Sequence, residues 1–378
     1  MMTTPMSIGE TFADLEDPRV EGRTAHKLQD IIVIAICAII CGADGWAAVE
    51  IFGETREKWL RQFLELPNGI PSHDTFGRVF GQLDAEGFQR CFNRWVKTTF
   101  TITEGQVIAI DGKTVRGSKG IGKEAIHMVS AWAQNARLVL GQVKTAEKSN
   151  EITAIPDLLA QLYIKGCIVT IDAMGCQKSI VAQIIERGAD YVLPVKGNQG
   201  NLAQDIADWF DYAQQTDFAT VNHDYAKTIN KDHGRIEVRE CWTIDDPQAF
   251  DYIRHFEGWE NLQTIALIRR EQRVGEKVSV DTQYYISSLA SNAALILSAA
   301  RHHWAVENNL HWVLDVVFHE DHAQNWKDNS AANMTVLRHI ALNLLKHTPH
   351  TKKKLSLKNK RMKAALEPDY LLQVLQQI

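Results

Sequence analysis

Cysteine is scarce in this 378-residue chain: Cys37, Cys41, Cys91, Cys167, Cys176 and Cys241 are unevenly spaced and form no C-x-x-C pair. A disulfide scaffold and a cysteine-based zinc signature are thereby excluded, and the thiols read as reduced ones of a cytoplasmic protein. Long apolar runs are missing too. The most apolar stretch, IIVIAICAII at 31–40, falls well short of the roughly 20 residues that a hydrocarbon layer of ~30 Å demands, so it reads as a buried helix. The first twenty residues carry acids and have neither a basic start nor an apolar core region, which argues against a secretory signal. Positive charge is in deficit, at a formal net charge of −5, so the total does not favour nucleic acid; phosphate contact, however, needs only a local basic surface.

What is present is an ordinary globular composition, 45% apolar, in a chain longer than one hydrophobic core serves, which points to two or three structural units. From Ala25 to about Phe100 apolar residues recur at spacings of three and four, a helical pattern. Within it PNGIPSHDTFGRVF (67–80) is a loop followed by Ser72 or Asp74 as N-cap, either the linker of a helix-turn-helix or a loop in a helical bundle. After Thr103 strands follow: QVIAIDG, AIHMVSAWAQ, RLVLGQVKT, then a helical crossover at 150–164 and the strand CIVTIDAMG. That order predicts antiparallel strands, a crossover helix and a parallel strand, hence a mixed α/β sheet. Residues 201–290 open with a helix and continue as polar, strand-leaning segments, an inserted or extended sheet, and helix returns from Asn292 to about His347. TKKKLSLKNKRMK (351–363) holds seven Lys or Arg and no acid, either a solvated tail or an arm for phosphates.

Two of those strands end on an acid: Asp111 in VIAIDGKTVRGS (107–118) and Asp172 in CIVTIDAMGCQ. Sites gather at the carboxyl ends of strands in such sheets, and two carboxylates held there repel unless a cation intervenes. Hard oxygen donors suit Mg²⁺ or Mn²⁺, and with them phosphodiester chemistry. The alternative is that each aspartate caps its turn. Gly112 leaves room for a ligand, and Lys113 and Arg116 could meet a phosphate, or Lys113 could merely balance local acids. A third acid, Glu307, lies in RHHWAVENNLHWVLDVVFHED (301–321), where Trp304 and Val306 can face the core and Leu310, Leu314 and Phe318 continue an apolar stripe. The histidines of this segment match no zinc spacing. Trp304 and Trp312 suit a core or a stacked base. VKGNQGNL (195–202), with Lys196 and Asn198, is a further candidate turn toward DNA.

These stretches, with HKLQDIIVIAICAIICGADGW (26–46), KTAEKSNEITAIPDLL (144–159) and HGRIEVR (233–239), resemble the ISAs1 family of insertion-sequence transposases, including the H-repeat-associated proteins. The resemblance implies a ribonuclease H-like mixed sheet with flanking helices, a β-rich insertion at about 201–290 before the last acid, and an N-terminal helical domain. Its domains would be 1–103, associated with DNA; 104–347, catalytic; and 348–378, a basic tail with a terminal helix. Asp111, Asp172 and Glu307 become the catalytic acids of a DDE site holding two Mg²⁺ or Mn²⁺ ions. The implied reaction is cleavage at element ends and strand transfer into double-stranded target DNA, by a homodimer in the cytoplasm with no membrane partner. A catalytically inactive DNA-binding relic or regulator is the rival reading. The Tyr, Arg and Lys that related transposases carry around the final Glu fall on Ala300, His303 and Leu314, so His303 would stand in for the arginine. The DNA contacts expected are thus Lys113, Arg116, Lys196, Asn198 and His303, with Lys352, Lys353, Lys354, Lys360 and Arg361 of the tail.

Overall fold

The computed structural model describes residues 8–20, 22, 24–100, 102–120, 124–145, 151–232, 234–324, 327–349 and 354–376. The apolar run becomes helix Leu28–Ile40, buried on nearly every side, which fits a helix with no polar face. Helix Trp46–Leu60 packs on it. Ser72 then caps helix His73–Gln82 by accepting the N–H of Thr75 at 3.4 Å, and Asp84 caps helix Ala85–Thr99 through the N–H groups of Glu86 and Gly87. Phe76, Val79 and Phe80 point inward, and the Phe80 ring stacks on Trp46 at 4.8 Å, which packs this helix on Trp46–Leu60.

Among the described residues nine strands form one sheet: β1 (Val107–Thr114), β2 (His127–Ala133), β3 (Leu138–Lys144), β4 (Ile168–Ile171), β5 (Asp190–Val195), β6 (His223–Asp232), β7 (Arg235–Ile244), β8 (Thr264–Val274) and β9 (Lys277–Ser287), in the order β3-β2-β1-β4-β5-β9-β8-β7-β6. β1, β4 and β5 run parallel, joined by crossovers through helices Glu151–Gln161 and Lys178–Glu186; every other pairing is antiparallel. The β-rich segment extends the sheet. β9 pairs with β5, from Val192↔Ser287 to Val195↔Tyr284, and so covers what would be an exposed edge.

The helix expected from Asn292 to His347 is broken. Helix Ala293–His303, capped by the Asn292 side chain, leads to a π-helical turn at Glu307–His311 and helix Trp312–Val316. His319, at φ 50°, is left-handed and cannot continue a helix. Helix Ser330–His347 follows and is buried almost throughout. It joins the two halves of the chain: the Asn333 amide donates to Phe80 O and Leu83 O, while Asn343 accepts from Val139 N and donates to Val139 O on edge strand β3. The basic C-terminal stretch leads into helices Leu357–Leu366 and Pro368–Leu375, which pack on this same helix. No helix among the described residues is long and apolar enough to cross a membrane.

Candidate functional site

Parallel pairing of β1 with β4 runs from Val107↔Ile168 to Ile110↔Ile171, so Asp111 and Asp172 come next, where that pairing stops; β4 ends before its acid as expected, but β1 runs on past Asp111, which pairs with Ser130 of β2, to Thr114. Asp172 does cap its turn: its Oδ1 accepts the N–H of Gly175 at 3.1 Å. The Met174 N–H also bonds to this carboxylate. Asn198 donates to Ala173 O at 2.7 Å and ties the next loop to that turn. Glu307 opens the π-helical turn, a local widening common at functional sites, and lines one cleft with Asp111 and Asp172.

Charge crowding marks this end of the sheet. Burial, then Glu151, with Asp172 and Glu307 adding to them, pushes the Asp111 carboxyl up to about 7. Burial also raises Asp172, against the Gly175 N–H and the Lys196 charge. His311 Nδ1 lies 3.5 Å from Asp111 Oδ2, but burial and the Lys113 charge press it down to about 4, so it is neutral at pH 7 and no counter-ion. Glu151, at the start of the crossover helix, binds His127 Nε2 at 2.7 Å. A Cβ on Gly112 would overlap Glu151 Oε1 and His127 Nε2; the glycine makes room for that pair and not for a ligand. Carboxylate oxygens in excess of nearby cations form a donor set that suits a divalent ion of the Mg²⁺ class. Among the described residues no three His, Cys, Asp or Glu side chains already stand arranged to hold one.

Several expected DNA contacts are otherwise engaged. Lys113 is clamped by Asp315 Oδ1 at 2.5 Å and Glu320 Oε2 at 2.6 Å, with Asp321 at 3.6 Å, so it balances buried acids and is not offered to a phosphate. His303 lines the cleft half-buried, and burial lowers it to about 4; a neutral imidazole does not replace an arginine's charge. Lys360 donates to Leu345 O at 2.7 Å and Thr348 O at 2.8 Å, closing the end of helix Ser330–His347. Arg361 donates to Ile39 O at 2.8 Å and to Val317 O, and lies over the Phe318 ring. Neither side chain belongs to a solvated arm. Arg116 and Lys354 are exposed, Lys196 is exposed in the cleft, and Lys352 and Lys353 lie outside the described residues. Trp304 and Trp312 keep 60% and 55% of their surface exposed, against the expectation that Trp304 faces the core; Val306, Leu310, Leu314 and Phe318 are buried as the stripe predicts.

Sequence reasoning missed Glu151 and four cleft arginines, Arg235, Arg239, Arg270 and Arg301. For β7 a signal existed, since Arg235, Glu237 and Arg239 alternate onto one face.

A family model described as "Transposase DDE domain" matches residues 102–344, and one described as "DDE_Tnp_1-associated" matches residues 9–96. YncI of Escherichia coli O157:H7, named for a transposase, is 41% identical over 98% of this chain and 94% of its own length. YhhI of Escherichia coli K12, named for an H repeat-associated transposase, is 41% identical over 97% of both. The solved piggyBac transposase synaptic complex with hairpin DNA matches 95% of this chain and 75% of that one, at a TM-score of 0.44 and 10% identity.

Proposed function

The chain belongs to the family of transposases with a DDE domain and its associated N-terminal domain, the family of the H repeat-associated proteins, and we propose from that premise that Asp111, Asp172 and Glu307 are its catalytic acids. The observation that carries the proposal is the register: Ile110 pairs with Ile171, so an aspartate follows on each chain where the parallel pairing ends, in a cleft that Glu307 also lines. Membership implies dependence on a divalent metal; Mg²⁺ or Mn²⁺, as two ions, is our assignment. When bound, the ions supply activation of a water or 3′-hydroxyl oxygen and stabilisation of the departing oxygen.

The chain's own residues do the rest. Asp111 is held within β1 by its pairing with Ser130, and Asp172 follows β4 directly and caps the next turn, which limits the movement of both. Asn198 and Gly175 hold the turn after Asp172, and Lys113 fastens the end of β1 to Glu320. Glu307 reaches the cleft from a helical turn of a different gauge, a third arm on a separate element beside two strand-borne ones. Trp304 offers its ring to the same cleft for a displaced base. Cleavage at an element end releases a 3′-hydroxyl, and attack of that hydroxyl on target DNA exchanges one phosphodiester for another, so no nucleotide hydrolysis is needed. The reading extends to ISAs1 membership, a homodimer bridging two ends, a cytoplasmic site of action, and working domains 1–103, 104–347 and 348–378.

The test is cleavage and joining of a plasmid carrying the element, with Mg²⁺ or Mn²⁺. Asp111→Asn, Asp172→Asn and Glu307→Gln should each lose activity by orders of magnitude while still binding DNA. Full metal-dependent cleavage by Asp111→Asn overturns the assignment. Binding by the native chain with no cleavage in any metal supports the inactive regulator instead.

A further inference from the structure

The cations that a DNA strand would need at these acids do not sit on the turn of Glu307 or the helix after it, where Leu314 is apolar and buried, and His303, four residues before the glutamate, is neutral. They come from the sheet extension and the helix that precedes the glutamate. Arg235 and Arg239 of β7 and Arg270 of β8 share the cleft with Arg301 and Lys196. Arg239 stands directly across from Arg270 in the β7–β8 ladder, where like charges repel unless an acid intervenes. Glu237, 5% exposed, is that acid: it binds Arg239 Nη2 at 2.7 Å and Arg270 Nε, with Arg235 at 4.0 Å. One buried carboxylate thus holds three guanidinium groups in position and leaves them with net positive charge. Arg301 forms no ion pair among the described residues and lies one helical turn before Trp304 and two before Asn308, all three lining the cleft. In a chain of net charge −5, these five cations share their wall of the cleft with Asp281 and with Glu237 beneath them. Such an excess, continuous with carboxylates that repel anions, calls for a polyanion long enough to lie along the cations and reach the acids.

We propose that Arg239, Arg270 and Arg301, with Arg235 and Lys196, form a phosphate track holding the DNA strand that runs into Asp111, Asp172 and Glu307. The inference rests on the transposase reading of that cleft and deepens it: the inserted strands supply the phosphate contacts absent from the glutamate's own helical turn. The ligand is the sugar-phosphate backbone, bound without regard to base sequence.

The experiment measures binding of the full-length chain to a labelled DNA duplex of mixed sequence across a salt series, with chelator present so that no strand is cut. Removing one phosphate-bound cation should shallow the plot of log affinity against log salt by about one. Arg301→Gln should lower the slope by about one, Arg301→Gln with Arg270→Gln by about two, and Arg301→Lys should keep the native slope. Lys165→Gln, at the opposite end of β4, is the control and should change nothing. Arg301→Gln with a native slope overturns the track even if the native chain binds tightly. Absence of DNA binding by the native chain overturns the transposase reading itself. Should the double variant fail to fold by circular dichroism, Arg301→Gln decides alone, because Arg301 holds no structural ion pair among the described residues.

Discussion

Lys113 and Asp111 are two residues apart on one strand, yet their surroundings divide their roles. Asp111 ends among acids, whereas Lys113 is 11% exposed at its side chain and neutralises Asp315 and the fully buried Glu320. Glu320 keeps Arg338 at 3.5 Å, so removing Lys113 leaves Asp315 as the acid without its cation, at a cost of up to about 3 kcal/mol, the lower end for a broken buried pair. Lys113→Met should therefore lower the urea midpoint by that equivalent and leave the salt slope of DNA binding unchanged; a shallower slope without loss of stability would return Lys113 to the DNA surface. His339 makes a second residue-scale case. Burial lowers it to about 4, and neither ring nitrogen has a hydrogen-bond partner. Its folded pKa is below the unfolded 6.5, so the unfolded chain takes up a proton that the folded chain refuses. Its contribution is complete above pH 6.5 and is lost as the pH falls through about 4. His339→Leu should flatten the decline of stability between those values in denaturation curves at about pH 7 and 5, and an unchanged decline would assign acid sensitivity elsewhere.

At the scale of elements, the turn after β4 is held by close approach. A Cβ at Gly175 would overlap Ile171 Cγ2, a β-branched side chain fixed in the core. Gly175→Ala must move the turn that Asp172 caps, at a cost of about 1–3 kcal/mol for overpacking. DNA cleavage should fall further than melting temperature predicts, because the acid moves with the turn; equal loss of both would mean that Asp172 keeps its position. The π-helical turn matters in a similar way. Its lengthened coil carries Glu307, and Lys346, from helix Ser330–His347, donates to Asn309 O within it at 2.9 Å. Periodicity of three and four identified the apolar stripe here but could not register one widened turn, because a single inserted residue barely alters the pattern.

For the whole molecule, two cations of the basic C-terminal stretch, Lys360 and Arg361, serve the core. Arg361 binds a carbonyl of the first buried helix, and Lys360 closes the last long one. Arg361→Ala should cost about 1.5–3 kcal/mol, the range for hydrogen bonds to a charged group, and render residues 355–376 sensitive to protease. A variant as stable and resistant as the native chain would make these helices a detachable tail. Much of the architecture is legible in the sequence: the buried helix Leu28–Ile40, the strand order around β1 and β4, and the acid that follows each apolar run are written in adjacent residues, although β1 continues past Asp111 to Thr114. Local sequence determined that an acid follows the parallel-paired residues of both β1 and β4, since apolar runs and pairing follow from backbone geometry. Tertiary structure alone decided which cations remain free to meet DNA. Lys113 is neutralised by Glu320 and Arg361 is bound by Ile39, partners hundreds of positions away, while Arg239 and Arg270 are brought to the site by β9 joining β5. Charge acts through space, and the chain's order does not record which distant acid will arrive beside a given base.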